Sequence, residues 1–449
     1  LFGNLLQAVR DDMVEEKTID DAVVRLMVTR MKLGLFDKEM PFRDIPYEVC
    51  DCTEHRAINL TAARRCLTLL KNTNDFLPLD KKKIKSIGVI GPNADSRAAL
   101  VGNYEGTASE YVTVLEGIRE AAGEEIRVFY SQGCHLYKDR ISGLAGADDR
   151  LAEARAVADA SDVVVMCLGL DATIEGEEGD AGNEFGSGDK LTLNLPGRQQ
   201  EVLEVVAACG KPVILVLLAG SALAVTWADA RENIPAIVQG WYPGAQGGRA
   251  IAQMLFGGFS PEGKLPVTFY RTTEELPEFT DYSMKGRTYR YMEKEALYPF
   301  GYGLSYTKFV CSAKMEIIGS DGTPEKEHLI CADSTVRITA VLTNIGSYDG
   351  AETVQVYIKA KDVPNAPNYQ LKGLKKLALA AGERRETEII LDMKAFGLFT
   401  EEGEKLILPG QYEIYVGTCQ PDARSTELTG TKPQIFTVSC RERAVVETI

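Results

Sequence analysis

Residues 212–218, PVILVLL, open the chain's one fully apolar run of note, Val213 to Ala219, and a glycine and a serine stop it at once in AGSAL (219–223). The run is far short of the roughly 20 apolar residues that a bilayer-spanning helix needs. Short, rich in β-branched residues and bounded by turn formers, it reads as a strand buried on both faces. The same texture recurs on either side, at Ser86–Ile90, Asp162–Leu168 and Ala236–Gln239. Helical patterns at Arg150–Ala160 and Arg198–Ala208 lie between these runs. Strands alternating with helices predict a mainly parallel sheet with helices packed on both faces. Each strand empties into a loop rich in Gly, Asn or Asp: GPNAD (91–95), GLDATIEGEEGD (169–180), AGSAL (219–223) and GWYPGAQGG (240–248). In open parallel sheets, ligands bind at the C-terminal edge of the strands, where these loops fall.

Toward the C-terminus the texture changes from about Phe309. VRITAVLTN (336–344), ETVQVYIKA (352–360), ETEIILD (386–392) and QYEIYVG (411–417) alternate apolar and polar residues. Asn344, Gly346, Asp349 and Gly350 supply turn chemistry between them, as in a small β-sandwich. Toward the N-terminus, residues 1–35 carry two helical patterns. Thr18 and Asp21 resemble a capping box, Val23, Val24, Met27 and Met31 share a face, and Gly34 stands where a helix-terminating glycine belongs. Such a pair cannot bury a core alone, and with neither an initiator Met nor a leader pattern the chain is expected to begin mid-protein. A linker is expected over 36–52 and a further helix over 54–70.

The bulk properties narrow the partners. The 449 residues suffice for two or three domains. With 65 acidic against 50 basic residues the net charge is −15, which repels nucleic acid and anionic membrane and favours a neutral small molecule. Ten cysteines are spread singly except for Cys50 and Cys52, without zinc-ligand spacing; they read as thiols of a reducing compartment, which would be cytoplasmic.

One segment has the composition of a chemical site. Residues 171–189, DATIEGEEGDAGNEFGSGD, hold seven carboxylates and no basic residue. Mutual repulsion tends to raise some carboxyl pKa values, which suits a general acid near neutral pH. The same composition also fits a solvated surface loop, while the DxDxDG spacing of a calcium loop is absent. GVIGPNAD (88–95) lacks the GxGxxG of a dinucleotide site. His55, His135 and His328 are scattered, and Ser221 is not in a GxSxG elbow. Trp241 could stack on a ligand ring or fill the core. Arg287, Tyr289 and Arg290 in KGRTYRY are expected to form an internal ion-pair and packing cluster.

Several motifs in order resemble glycoside hydrolase family 3, the β-xylosidases and β-glucosidases. DATIEGEEGD followed by LNLPGRQQ resembles that family's acid/base loop. GNYEG (102–106), GWYPGAQGG, GKLPVTFY, GRTYRY and YPFGYGLSYTKF resemble its scaffold signatures. LTNIGSYDGAETVQVYI and LKGLKK resemble its fibronectin-III-like terminal domain, and RDDMVEEKTIDDAVVRLMVTRMKLGLFD the last helices of its N-terminal barrel. The resemblance implies a three-layer αβα sandwich over 61–309 and a fibronectin-III-like β-sandwich over 310–449. Residues 1–60 would be a helical remnant of a (β/α)8 barrel plus linker.

It also implies retaining hydrolysis, with an Asp nucleophile on the barrel and a Glu acid/base from the second domain. Aligning Glu175-Gly176-Glu177 with the family pattern makes Glu177 the acid/base and Asp180 the matching acidic residue. Glu175 is the runner-up, and Glu178, followed by Gly179, is a third register. The loop departs from the pattern with an extra Glu in a position often held by Gly, and with Ala181 in place of Arg. Trp241 is the candidate substrate-binding residue. The expected substrate is a β-xyloside or β-glucoside, with α-L-arabinofuranoside cleavage as a side activity. No cofactor or metal is implied. A barrel takes about 250 residues, so the chain by itself is expected to be inactive, its partner being a barrel domain in cis or in trans. The alternatives are a non-catalytic carbohydrate-binding or assembly module and a self-contained α/β enzyme, for which the sequence offers no nucleophile-base pair.

Overall fold

A computed structural model describes residues 2–40, 42–138, 143, 145–177, 179, 181–325, 327–361, 363–400 and 403–448. The chain divides into two compact units, Leu1–Arg56 and Ala57–Ile449.

The first unit holds two helices, α1 (Leu5–Arg10) and α2 (Glu16–Lys32), as the periodicity predicts. Its start differs from the expected capping box. Glu15 is the extended residue at the helix entrance and Thr18 already lies in the first turn, its N–H donating to the Glu15 carbonyl at 3.0 Å. Acidic residues at this end complement the helix dipole without a hydroxyl cap. At the other end Gly34 adopts φ +71°, and the Gly34 and Leu35 N–H groups close on the carbonyls of Met31 and Arg30 at 2.9 and 3.1 Å. This double closure needs the left-handed conformation that glycine adopts without strain. No residue of α2 is buried, and Val23, Val24 and Met31 are exposed.

Helix α3 (Thr53–Cys66) ends earlier than the expected Leu70, because the chain turns into strand β1 (Thr68–Asn72). The sheet of the second unit comprises β1, β2 (Ser86–Ile90), β3 (Arg127–Ser131), β4 (Val163–Gly169), β5 (Val213–Leu218) and β6 (Ala236–Gln239), in the order β1-β6-β5-β4-β2-β3. All neighbours are parallel except β1, which runs antiparallel to β6. The four strands expected from apolar runs form the interior. The two that escaped notice, β1 and β3, are the edges, only partly covered and mixed in sequence as TLLKN and RVFYS.

Both sheet faces are capped by helices, giving three layers. Val164, Met166 and Leu168 pack toward residues of α5 (Asp149–Asp159) and α6 (Gln199–Ala207). Their alternates Val163, Val165 and Cys167 pack with α4 (Val114–Ala122) and α7 (Gly247–Leu255). Helix α4 starts with a reciprocal cap: Glu116 N–H donates to Thr113 Oγ1 at 3.2 Å, and Thr113 N–H to Glu116 Oε2 at 2.8 Å.

The β-sandwich follows as two main sheets, and Leu398–Phe399, Glu404–Ile407 and Ala444–Thr448 pair in a third, smaller one. Strands β11 (Arg384–Leu391), β8 (Thr335–Asn344) and β7 (Phe309–Ile318) form one, in that order. The other comprises Leu329–Ile330, β13 (Gln434–Cys440), β12 (Gly410–Gly417), β9 (Gly350–Ala360) and β10 (Gln370–Leu379). Val336, Ile338, Ala340 and Leu342 share a core with Val354, Val356, Ile358, Ile414 and Val416. An ion pair between Lys264 and Glu352 (2.8 Å) joins the sandwich to the irregular segment that follows α7. Among the described residues no helix is long and apolar enough to cross a membrane.

Candidate active site at the carboxyl edge of the sheet

Strand β4 delivers the acidic loop, and buried carboxamides hold its root. The Gln199 side chain, fully buried on α6, pairs with the backbone of Gly169 like a neighbouring strand: it accepts from the N–H at 2.7 Å and donates to the C=O at 2.8 Å. Asn93, from the loop after β2, donates to the Leu170 carbonyl at 2.6 Å. Asp171 then folds back on Thr173, accepting from its N–H at 2.9 Å and its hydroxyl at 2.6 Å. Ile174, 2% exposed, plugs into the core and sets the direction in which the next residues leave.

Glu175 and Glu177, two residues apart, meet different surroundings. Glu175 is half-buried, and one of its oxygens, Oε2, accepts from Gly220 N–H at 2.9 Å and from the Tyr242 hydroxyl at 2.5 Å. The other accepts from the Ser221 hydroxyl. Gly220 is required here by space: a Cβ would lie 2.9 Å from the Tyr242 ring and 3.1 Å from Glu175 Oε2. Glu177 is exposed and accepts from the Tyr104 hydroxyl at 2.8 Å. Glu184 accepts from Gly197 N–H at 3.2 Å. The carboxylates crowded in sequence are thus turned toward separate donors. Glu178 and Asp180 lie outside the described residues.

The same strand ends hold the far side of the loop. Lys190, just after it, donates to the Ala222 carbonyl at 2.9 Å. Burial pulls its ammonium below the ordinary lysine value, and the charge of Glu175 opposes that pull. Burial, then the charge of Glu175 and the bond to it, hold the Tyr242 phenol well above the usual tyrosine range, so it stays a donor.

Trp241 faces elsewhere. Its indole N–H reaches Thr68 Oγ1 at 3.4 Å and its ring meets Phe269 edge-on at 6.3 Å, against the core. The adjacent Tyr242 is the aromatic that touches the acidic loop. Ser221, set aside as a nucleophile, is a ligand of Glu175. Tyr104, Lys190, Asn93 and Gln199 also went unremarked as site residues. The motifs GNYEG and GWYPG were the available signal, since each places a tyrosine two residues after a loop glycine. In the KGRTYRY segment, Tyr289 stacks on Phe300 with ring centroids 4.2 Å apart, and the Arg290 guanidinium lies 5.9 Å from the centroid of the Tyr289 ring. Arg287 donates to the carbonyls of Ser283, Glu278 and Asp281. Packing matches expectation there, whereas backbone oxygens take the place of an acidic partner at Arg287. Among the described residues no group of three or more His, Cys, Asp or Glu is placed to hold a metal ion.

Known proteins share this architecture. Residues 67–306, more than half of the chain, match the Glycosyl hydrolase family 3 C-terminal domain, and residues 352–420 match the Fibronectin type III-like domain. A β-xylosidase of Formosa agariphila is 34% identical over 429 residues, covering 92% of this chain and 55% of that protein. A periplasmic β-glucosidase of Salmonella typhimurium is 30% identical over 91% of this chain and 55% of its own length. A solved structure of a β-glucosidase of Erythrobacter marinus superposes with a TM-score of 0.78 at 31% identity, over 97% of this chain and 57% of that one. The chain therefore spans about half the length of the curated relatives it matches. With the family's C-terminal domain across its αβα core and a fibronectin-like sandwich behind it, this chain belongs to glycosyl hydrolase family 3.

Proposed function

We propose that this chain is the acid/base-bearing part of a retaining exo-β-glycosidase that removes terminal non-reducing β-linked xylose or glucose from short oligosaccharides or glycosides. Residues 1–60 would be the last helices and linker of a nucleophile-bearing (β/α)8 barrel, 61–309 the αβα domain and 310–449 the fibronectin-III-like domain. The relatives' names, β-xylosidase and β-glucosidase, support the substrate class.

The observation that carries the assignment is the contrast within one loop. Glu175 is engaged by an amide and two hydroxyls, as an anchor is, whereas Glu177 stands exposed with a phenol on one oxygen. Glu177 first protonates the glycosidic oxygen as the bond to the anomeric carbon breaks, while an Asp of the barrel forms the glycosyl-enzyme. The resulting Glu177 carboxylate then takes a proton from water as it releases the sugar. A retaining pair stands about 5–5.5 Å apart, so the acid and nucleophile must meet across two domains. The chain by itself, lacking the nucleophile, gives no turnover.

The test uses aryl β-xyloside and β-glucoside. In an enzyme joining this chain to its barrel, Glu177→Ala abolishes hydrolysis of glycosides with poor leaving groups; on activated aryl glycosides, which form the glycosyl-enzyme without an acid, azide, which needs no base, restores turnover as the β-glycosyl azide. Retained activity in Glu177→Ala would remove the assignment. Turnover by the 449-residue chain that Glu177→Gln abolishes would put a complete site within it and overturn the two-domain reading.

A further inference from the structure

The acid/base residue needs a fixed address, yet Glu177 stands on an irregular loop of about twenty residues, the kind of segment that ordinarily moves. Two independent ties bring that loop to one place. Near its start, Glu175 is gripped by Gly220 N–H, Ser221 Oγ and the Tyr242 hydroxyl. Just past its end, Lys190 Nζ donates to the carbonyl of Ala222. All four partners sit on the segments leaving β5 and β6, so the two ties straddle Glu177 and close the loop onto adjacent strand ends.

We infer that Glu175, Ser221 and Tyr242 form a latch, joined by Lys190 at the loop's far end, that positions Glu177 for proton transfer without touching the substrate. The inference rests on the acid/base reading of Glu177 and gives the neighbouring glutamate a separate task. Ser221 and Tyr242 are positioning residues. Their hydroxyls and the Gly220 amide are three donors converging on one carboxylate, and each acceptor oxygen is served from a strand end built into the sheet. The chemistry is suited to holding a loop in register, since hydrogen bonds to a charged acceptor are shorter and stronger than neutral ones. A side chain at Gly220 would displace a member of the latch, because its Cβ would stand 2.9 Å from the Tyr242 ring and 3.1 Å from Glu175 Oε2.

A latch makes two predictions that a merely structural contact does not. First, amide exchange over residues 171–177 and 181–190 accelerates about tenfold to a hundredfold in Tyr242→Phe and Ser221→Ala, the scale of losing a hydrogen bond to a charged group. Exchange in β4 and β5 stays unchanged. Because both hydroxyls serve one carboxylate, the double variant should match Glu175→Gln instead of multiplying the single effects. Ser221→Cys, which keeps the volume and weakens the donor, reports on the bond if Ser221→Ala fails to fold.

Second, in the enzyme joined to its barrel, the same variants lower kcat about tenfold on alkyl glycosides with KM unchanged. They leave kcat/KM on dinitrophenyl glycosides nearly unchanged, since those leave without protonation, and lower kcat there only through the base-assisted release of the sugar. Unchanged exchange in the singles and the double, with Glu177→Ala still collapsing turnover, would overturn the latch and leave the acid/base reading standing. Exchange that rises equally in β4 and β5 would also overturn it, as a loss of general stability. Full activity in Glu177→Ala would overturn the acid/base reading itself, and the positioning role with it.

Discussion

Strand β4 in the parallel sheet and strand β8 in the sandwich illustrate two ways of using a strand. All seven residues of β4, VVVMCLG, are buried. In β8, TVRITAVLTN, every second residue is buried and its alternates are only partly so. The parallel strand has helices on both faces, so its side chains have no freedom to carry chemistry, and whatever the protein does with β4 begins where the strand stops. The sandwich strand keeps one wet face, on which charged residues pair across strands, as Arg337 does with Glu388 at 2.9 Å. On the proposed assignment, tolerance and function are segregated: the α/β domain is unforgiving inside its strands and carries its proposed chemistry at one edge, while the sandwich is forgiving on an entire face.

The largest effect expected to test that contrast is catalytic. Glu177→Gln in the enzyme joined to its barrel should lower kcat on alkyl glycosides about 10²- to 10⁴-fold, the usual loss of a general acid. Glu388→Gln on the wet face of the sandwich should leave kcat unchanged; comparable losses in both would break the segregation. Next comes the core. Leu215→Ala, in fully buried β5, should cost about 2–5 kcal/mol in urea unfolding, whereas Leu374→Ala, 59% exposed on β10, should stay within about 0.5 kcal/mol.

The seam between the two regions gives a smaller effect. Glu352→Ala leaves Lys264 without its carboxylate though still bonded to the Gly303 carbonyl, and should cost about 2 kcal/mol. Smallest is Lys372 on β10, whose ammonium is drawn down to about 8 by burial, with Lys405 and Arg290 adding repulsion. A lysine with a lowered folded pKa destabilises the fold fully below that value. As pH rises from about 8 toward the unfolded value of about 10.4, the unfolded chain still binds a proton that the folded one has lost, so the penalty fades. Lys372→Met should therefore raise stability by on the order of 1 kcal/mol at pH 7, allowing for solvent screening. The gain should shrink on titration toward pH 10, and a gain flat across that range would sink the electrostatic cause.

The layered architecture was legible because its causes are local. Continuous apolar runs mark the interior strands β2, β4, β5 and β6, and strict alternation marks β8 and β9. The edges were not legible, since β1 and β3 are covered on fewer sides and their sequences need not be uniformly apolar. TLLKN even extends the helical pattern of α3, and what makes it a strand is its pairing with β6, more than 160 residues on.

The site divides along the same line. Composition alone singled out residues 171–189, and motif resemblance alone ranked Glu177 above Glu175. What separates these two glutamates physically is decided by partners that no window of sequence contains: Ser221 lies 46 residues beyond Glu175, and Tyr242 67 residues beyond it. Trp241 and Tyr242 are likewise neighbours in the chain that part company in space, one turned to Thr68 and Phe269 and the other to the acidic loop. Hydrophobic periodicity is a property of a segment and survives being read one residue after another. A hydrogen-bond acceptor acquires its role only when the fold brings donors to it, and that the tertiary structure alone decided.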